Sequence, residues 1–356
     1  MTKFTELRPS IPQHSHFGAT FAGPILSFFS DKLATYAKAS NEKLFFLARE
    51  GYWLEQAFSE HCLAQNMTAD SEYLLVSRAF MFKVMLDDPR SYPYSLDFSF
   101  DGTLKELLRT RFMLSNASVS NFFTESELNK NIKLPIDIDE VGALLKAQHS
   151  KLSEMIAPTK TAYIAYLDGL GMFELDQLHL VDVGYSGTIQ KLMTLFLDKP
   201  TMGHYLMASK PGIFELGNRK AKMVGYLKEG KKMGEGYTPL DRSMFLEAIL
   251  TAPQGQFQDI RVNKLTDNHF DFYFGRKVTA QRDFHDLAQI MEGAIAFVAT
   301  ASKNAIKYSE SEVESMLTQY LEKPNMIPSS SHHLFTIDDD VTGNGTVNAL
   351  QFFGLK

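Results

Sequence analysis

Residues Leu178 to Thr188 read LHLVDVGYSGT and run on into IQKLMTLFL, Ile189 to Leu197. An apolar run, one aspartate and a Gly/Ser/Thr turn are followed by apolar positions at helical spacing. That order predicts a buried strand that hands the chain, through a tight turn of phosphate size, to the start of a helix. The backbone N–H groups of Gly184, Tyr185, Ser186, Gly187 and Thr188, with the positive end of the helix dipole, would bind an anion without any charged side chain. Asp182 would stand at the strand tip, within reach of sugar hydroxyls or a metal ion. The competing reading is a plain strand-to-helix turn, with glycines for tightness and Ser186 or Thr188 as N-cap.

Two upstream segments share this pattern. In KLFFLAREGYWLEQAF (Lys43 to Phe58) an apolar run reaches Arg49, Glu50 and Gly51 before a helix pattern begins, and EYLLVSRAF (Glu72 to Phe80) ends a strand on Ser77 and Arg78. Three apolar strands with polar tips predict a parallel sheet with its working groups along one carboxyl edge, where open α/β sheets bind ligands. An arginine at such a tip can grip phosphate oxygens in a bidentate fork, or simply pair with a nearby acid. Glu50 could be that partner for Arg49, a general base, or a ligand to hydrated magnesium.

Composition narrows the classes. The chain has 356 residues, 44% hydrophobic and 22% charged, as expected of a globular protein of one elaborated domain or two small ones. A formal net charge of -6 argues against a general nucleic-acid binder. The single cysteine, Cys62, excludes an intrachain disulfide framework and a cysteine-rich metal site. The N-terminal MTKFTELRPSIPQ lacks the apolar core of a signal peptide, and no apolar run approaches the roughly 18 residues of a membrane span. A cytoplasmic location is expected, with peripheral association at the inner membrane as an extension of it.

Residues 18 to 40 carry apolar positions at helical spacing and predict a helix packed on the sheet. Residues 80 to 170 are expected to be a helical insertion, including SELNKNIKL read as helix, because an unstructured loop of that length is improbable. MGHYLMAS (Met202 to Ser209) and KMVGYLKEG (Lys222 to Gly230) predict further strands. Asp241 to Gly255 predicts a short helix carrying Glu247, residues 256 to 276 a hairpin, and residues 278 to 322 a long helical pattern. The last thirty or so residues are expected to wrap or fray. The division expected is an α/β catalytic domain over 1–260, with a hairpin, helical part and tail over 261–356.

The glycine turn admits other chemistries. An aspartate before a glycine-rich turn resembles the first motif of S-adenosylmethionine-dependent methyltransferases, but the next strand, HYLMAS, ends without the acid that holds a ribose. Gly184-Tyr185-Ser186-Gly187 is one residue short of a serine-hydrolase elbow. The phosphate cradle fits these residues best.

The trio LFFLAREG, YLLVSR and LVDVGYSGTIQ, with FLEAILTAPQG (Phe245 to Gly255), is similar to a phosphoribosyltransferase-like domain found beside haloacid-dehalogenase (HAD)-type phosphatases in bacterial capsule and O-antigen gene products. The resemblance runs from about Phe21 to Gly255. It implies a phosphoribosyltransferase-like, Rossmann-like α/β fold and a magnesium-dependent enzyme. Such an enzyme places ribofuranosyl 5-phosphate from phosphoribosyl pyrophosphate (PRPP) on a glycan or lipid-linked oligosaccharide acceptor, and a HAD-type phosphatase partner removes the phosphate. By position, Arg49, Glu50 and Gly51 would form the pyrophosphate loop and Arg78, beside Ser77, a second pyrophosphate contact. Asp182 would face the ribose hydroxyls and Gly184 to Thr188 the 5-phosphate, with Glu50 or Glu247 as general base and Glu50 as magnesium ligand. Glu50 stands where the family has aspartate, and Val183 follows Asp182 where ordinary phosphoribosyltransferases place a second acid. A methyltransferase, or a non-catalytic nucleotide- or glycan-binding module of a polysaccharide assembly complex, is the alternative.

Weaker signals have simpler readings. TIDDDVTGNGT (Thr336 to Thr346) has the D-x-D-x-T spacing of a phosphatase loop and the opening of a calcium loop, but reads as an acidic turn. DIDEV (Asp137 to Val141) reads as a helix cap. No HExxH occurs, and His332-His333 lies in a serine-rich segment, so catalytic zinc is not expected. Seven basic residues between Lys210 and Lys232 face two acids and read as a solvated loop, with contact to an anionic ligand or membrane surface as the alternative.

Overall fold

The computed structural model describes residues 12–40, 42–68, 70–265, 269–339 and 345–356. The N-terminal segment read for a signal peptide falls mainly outside them, and so does the centre of TIDDDVTGNGT. The fold is α/β: a mixed, mostly parallel six-stranded sheet with many helices, long ones near both termini. From one edge to the other the strands are Ser71–Leu74, Leu44–Leu47, Leu178–Asp182, Thr201–Ala208, Arg219–Glu229 and Gly212–Leu216. The first five run parallel, and the last returns antiparallel.

Strand alternation divides the core. Phe45 and Leu47 point into one apolar cluster and Phe46 into the other; likewise Leu178 and Leu180 oppose Val181. Because both faces are covered, the central strands read as continuous apolar runs rather than alternating ones. One face takes the helices Pro12–Ser40, Gly51–Ala64 and Phe284–Lys303, together with Leu334, Phe335 and Leu350 near the C-terminus. The other takes residues from the 80–170 region, including Phe82, Phe112 and Tyr163, and Phe257 of the following hairpin.

The chain leaves the Leu44–Leu47 strand toward one edge and the Leu178–Asp182 strand toward the other, although the two strands are neighbours, with Leu44 opposite His179. Their carboxyl ends therefore open a crevice where loops diverge.

Several expectations are corrected. NIKL is not helical: Asn131–Leu134 is a strand paired antiparallel with Phe100–Thr103, its residues alternately exposed and buried. The basic stretch is no loop but the antiparallel edge pair, with Lys220 3.2 Å from Glu215 and Arg219 3.2 Å from Asp198. Asp137 precedes the helix Ile138–Ala147, but its carboxylate accepts from the Lys133 N–H at 2.7 Å instead of capping. The second apolar run ends as strand at Leu74, three residues before Ser77. The 278–322 pattern is broken into Thr279–Arg282, Phe284–Lys303 and Glu310–Glu322. The expected 256–276 hairpin is present as Phe257–Val262 and Phe270–Phe274. Near the C-terminus the chain packs: Phe335 stands 5.5 Å from Phe245, ring to ring, and Ala349 is fully buried. No helix among the described residues is long and apolar enough to cross a membrane.

Candidate active site

The crevice holds a cavity of about 220 Å³ lined by Arg49, Glu50, Ser77, Arg78, Asp182, Gly184, Tyr185, Ser186, Gly187, Thr188 and Glu247. Residues separated by up to two hundred positions thus meet at one sheet edge. Of the residues singled out from the sequence, Gly51 alone does not line it. Gly51 opens the helix Gly51–Ala64, and a Cβ there would lie 2.6 Å from the Phe46 carbonyl carbon, so its glycine lets helix and strand approach.

Gly187 is the N-cap of the helix Thr188–Leu197 and adopts φ +68°, a left-handed conformation that favours glycine. Neither Ser186 nor Thr188 caps this helix; their hydroxyls lie 3.2 Å from each other. Among the described residues, the N–H groups of Ser186, Gly187 and Thr188 meet no backbone or side-chain acceptor. A helix start with unused donors at the mouth of a cavity is suited to an anion.

Across the crevice, the carboxylate of Glu50 accepts from the Arg49 backbone N–H at 3.2 Å. No ion pair joins the two side chains among the described residues, so the guanidinium is not tied up by its neighbour. The Arg78 guanidinium stacks 4.9 Å over Phe98. The Ser77 hydroxyl is committed elsewhere: it donates to the Phe257 carbonyl at 2.7 Å and accepts from the Phe80 N–H, capping the helix Arg78–Val84.

Asp182 accepts from the Val183 N–H at 2.8 Å. Burial pushes its carboxyl well above the ordinary carboxylate range, and the charge of Glu50 and, less strongly, of Glu247 pushes the same way. A carboxyl held neutral donates a hydrogen bond, for example to a sugar hydroxyl. Glu247, on the helix Met244–Ile249, lines the cavity, and just past that helix the Thr251 carbonyl accepts from the Trp53 indole N–H at 3.1 Å.

Three contributors carry no motif. Tyr205 and Gln256 line the cavity, and the Tyr205 hydroxyl donates to Gln190 Oε1 at 3.0 Å. Lys191 is buried behind the glycine turn, where its ammonium donates to the Ser186 carbonyl at 3.0 Å and lies 3.9 Å over Phe214. Burial, then the nearby charge of Lys210, pulls it down to about 8. Lys191 is the one charged residue in TIQKLMTLFL, which was a signal open to sequence reading.

No family model and no curated protein matches the chain.

Proposed function

We propose that the protein is a phosphoribosyltransferase-like enzyme that transfers ribofuranosyl 5-phosphate from PRPP to a glycan acceptor in bacterial surface-polysaccharide assembly. The observation that carries this reading is the meeting, in one cavity, of Arg49, just past the Leu44–Leu47 strand, and Arg78, at the start of the helix Arg78–Val84, with the glycine turn that follows Asp182. A donor with a phosphate at one end and a pyrophosphate at the other calls for two such anion sites, with a group for the ribose between them. The raised carboxyl of Asp182 suits that middle position.

In the transfer, an acceptor hydroxyl oxygen bonds to the ribose anomeric carbon as the carbon–oxygen bond to pyrophosphate breaks. Pyrophosphate leaves with the electron pair, and the hydroxyl proton passes to a carboxylate. Glu50 and Glu247, which line the cavity with Asp182, are the candidates. Positive charge develops at the anomeric carbon, and Arg49 and Arg78 offset the charge gathering on the leaving group. Among the described residues no three His, Cys, Asp or Glu side chains converge to hold a metal by themselves. Glu50 is the residue that would hold magnesium, in which case Glu247 is left as the base. When bound, magnesium supplies further neutralisation of the pyrophosphate.

The methyltransferase alternative is disfavoured by the strand after the glycine turn, which ends at Ala208 and leads to Ser209 and Lys210, not to an acid that could hold a ribose. Calorimetry tests the proposal. PRPP with magnesium should bind, ribose 5-phosphate alone should bind much less tightly, and S-adenosylmethionine should not bind. Equal affinity for PRPP and ribose 5-phosphate would show that the arginine tips are not a pyrophosphate site. PRPP binding without transfer to any glycan would favour the non-catalytic module.

A further inference from the structure

Four polar rings meet away from the crevice, on the face of the sheet covered by the helix Pro12–Ser40. Tyr36 comes from that helix, and His179, His204 and Tyr226 come from three adjacent strands, Leu178–Asp182, Thr201–Ala208 and Arg219–Glu229. They form a chain of contacts. His179 Nδ1 lies 3.3 Å from the Tyr36 hydroxyl and 3.3 Å from His204 Nε2, and His204 Nδ1 lies 2.8 Å from the Tyr226 hydroxyl. The Tyr36 and His204 rings pack 4.4 Å apart, centroid to centroid. Both histidines are buried. None of the four lines the crevice, so the cluster stands apart from the transferase chemistry.

Hydrogen count limits the charge this chain can hold. With both imidazoles neutral, one arrangement uses every contact: the Tyr226 hydroxyl donates to His204 Nδ1, and the His204 Nε2–H donates to His179 Nδ1, which accepts from the Tyr36 hydroxyl as well. His179 Nε2 then carries its N–H and meets no hydrogen-bond acceptor; a Glu42 carboxylate oxygen stands 3.9 Å away. A first added proton, on His179, forces the His204 proton across to Nδ1 and reverses both tyrosine bonds. A second sets N–H against N–H across the 3.3 Å between the rings.

The surroundings disfavour charge in the same way. Burial lowers His204 to about 3, and His179 and then Lys222 push in the same direction. Burial lowers His179 too, and Glu42, itself 40% exposed, opposes it. Burial raises Tyr36 and Tyr226, so both phenols stay neutral.

We propose that His179 and His204 are an acid-operated latch: neutral, they hold the end of the helix Pro12–Ser40 to the sheet through Tyr36, and on protonation they release it. Below the ordinary histidine value of 6.5 the unfolded chain takes up protons that the folded latch refuses, so its stability is full above that pH and falls as pH drops. Each histidine that stays neutral raises the unfolding constant by up to about tenfold per pH unit lost.

Denaturant unfolding of the full-length protein between about pH 7.5 and about pH 5 reads this slope. His14 and His61 are also buried with lowered values, so the wild type is compared with a variant at each pH. His204→Gln, which keeps an amide between the same partners, should flatten the acid slope by up to about tenfold per unit. Hydrogen exchange on the wild type, corrected for the intrinsic rate, is the second readout. On acidification the amides of Leu33 to Ser40 should lose more protection than those of Phe21 to Phe29, where Gly23 packs closely on Phe297. An acid slope in His204→Gln equal to that of the wild type overturns the latch, and so does protection lost evenly along the helix. Should His204→Gln not fold, the exchange pattern decides alone.

Discussion

Glu50 bonds the backbone of Arg49 and not its guanidinium: the carboxylate accepts the Arg49 N–H at 3.2 Å. Two adjacent residues of opposite charge at a strand tip would most simply neutralise each other, and here they do not. The carboxylate shapes the turn, and both side chains line the crevice.

Separate roles for the pair follow. Arg49→Ala should reduce both PRPP affinity and turnover, by about 2 to 4 kcal/mol if the leaving group is desolvated there. Glu50→Gln retains an oxygen able to accept the Arg49 N–H, so the fold should hold while turnover falls. Unaltered magnesium-dependent PRPP binding in that variant would identify a base, and lost magnesium dependence a ligand. Turnover at the wild-type rate would exclude both roles and direct attention to Glu247.

Gly187→Val does not separate ligand binding from stability. A Cβ at Gly187 would lie 1.9 Å from the terminal methyl of Met223, and the φ of +68° resists any branched side chain. Gly187→Ala should therefore lower stability by about 1 to 2 kcal/mol or more from the left-handed backbone alone. Adding Met223→Ala should recover the part due to the clash, apart from the cavity it leaves. Thermal melts of both single variants and the double give the coupling. A double variant no better than the sum of the singles would show that Met223 is not the obstacle.

The buried Lys191 predicts a pH dependence. Its folded pKa of about 8 lies below the ordinary lysine value of 10.5. Below about pH 8 both folded and unfolded chains carry the charge, and the cost of burying it is fully present. Between about 8 and 10.5 the unfolded chain binds more protons, so this group's contribution to stability rises with pH. Measured against Lys191→Met, which lacks the titrating group, the wild type should gain stability over that window. Anion binding at the glycine turn should weaken over the same range as the ammonium is lost. A wild-type-to-variant difference that is flat with pH would show that Lys191 keeps its proton.

Trp53 links two walls of the crevice through its bond to the Thr251 carbonyl. Trp53→Phe leaves that carbonyl without its donor and should cost about 1 to 3 kcal/mol. If the bond also positions Glu247, turnover should fall while PRPP affinity stays near wild type. Equal losses in both would assign Trp53 to general packing; its ring stacks on Phe284 at 5.7 Å.

What was legible in the sequence was local grammar. The runs LFFL and LHLVD end on polar or glycine residues, and a parallel sheet covered on both faces dictates both features, so the strand tips around Arg49 and Asp182 could be read directly. The short strand Asn131–Leu134 was not legible, because its partner Phe100–Thr103 lies some thirty residues upstream and four residues carry too little periodicity. Gly51 was read as a binding residue because glycine before a helix fits either role, and only the Phe46 carbonyl behind it decides for packing. Gln256 follows a proline-containing turn with no motif of its own; its place in the crevice comes from how the later hairpin folds back.

The antiparallel strand Gly212–Leu216 bears on how the protein behaves among its own copies. A sheet that ended on a long bare strand would present a ladder of N–H and C=O groups to any extended chain, and that is how strands recruit strands into aggregates. Here the ladder ends on five residues flanked by paired charges at Glu215–Lys220 and Asp198–Arg219, and the opposite border, Ser71–Leu74, is four residues long. Both borders are short, which limits the ladder of N–H and C=O groups that the main sheet offers to a neighbouring chain.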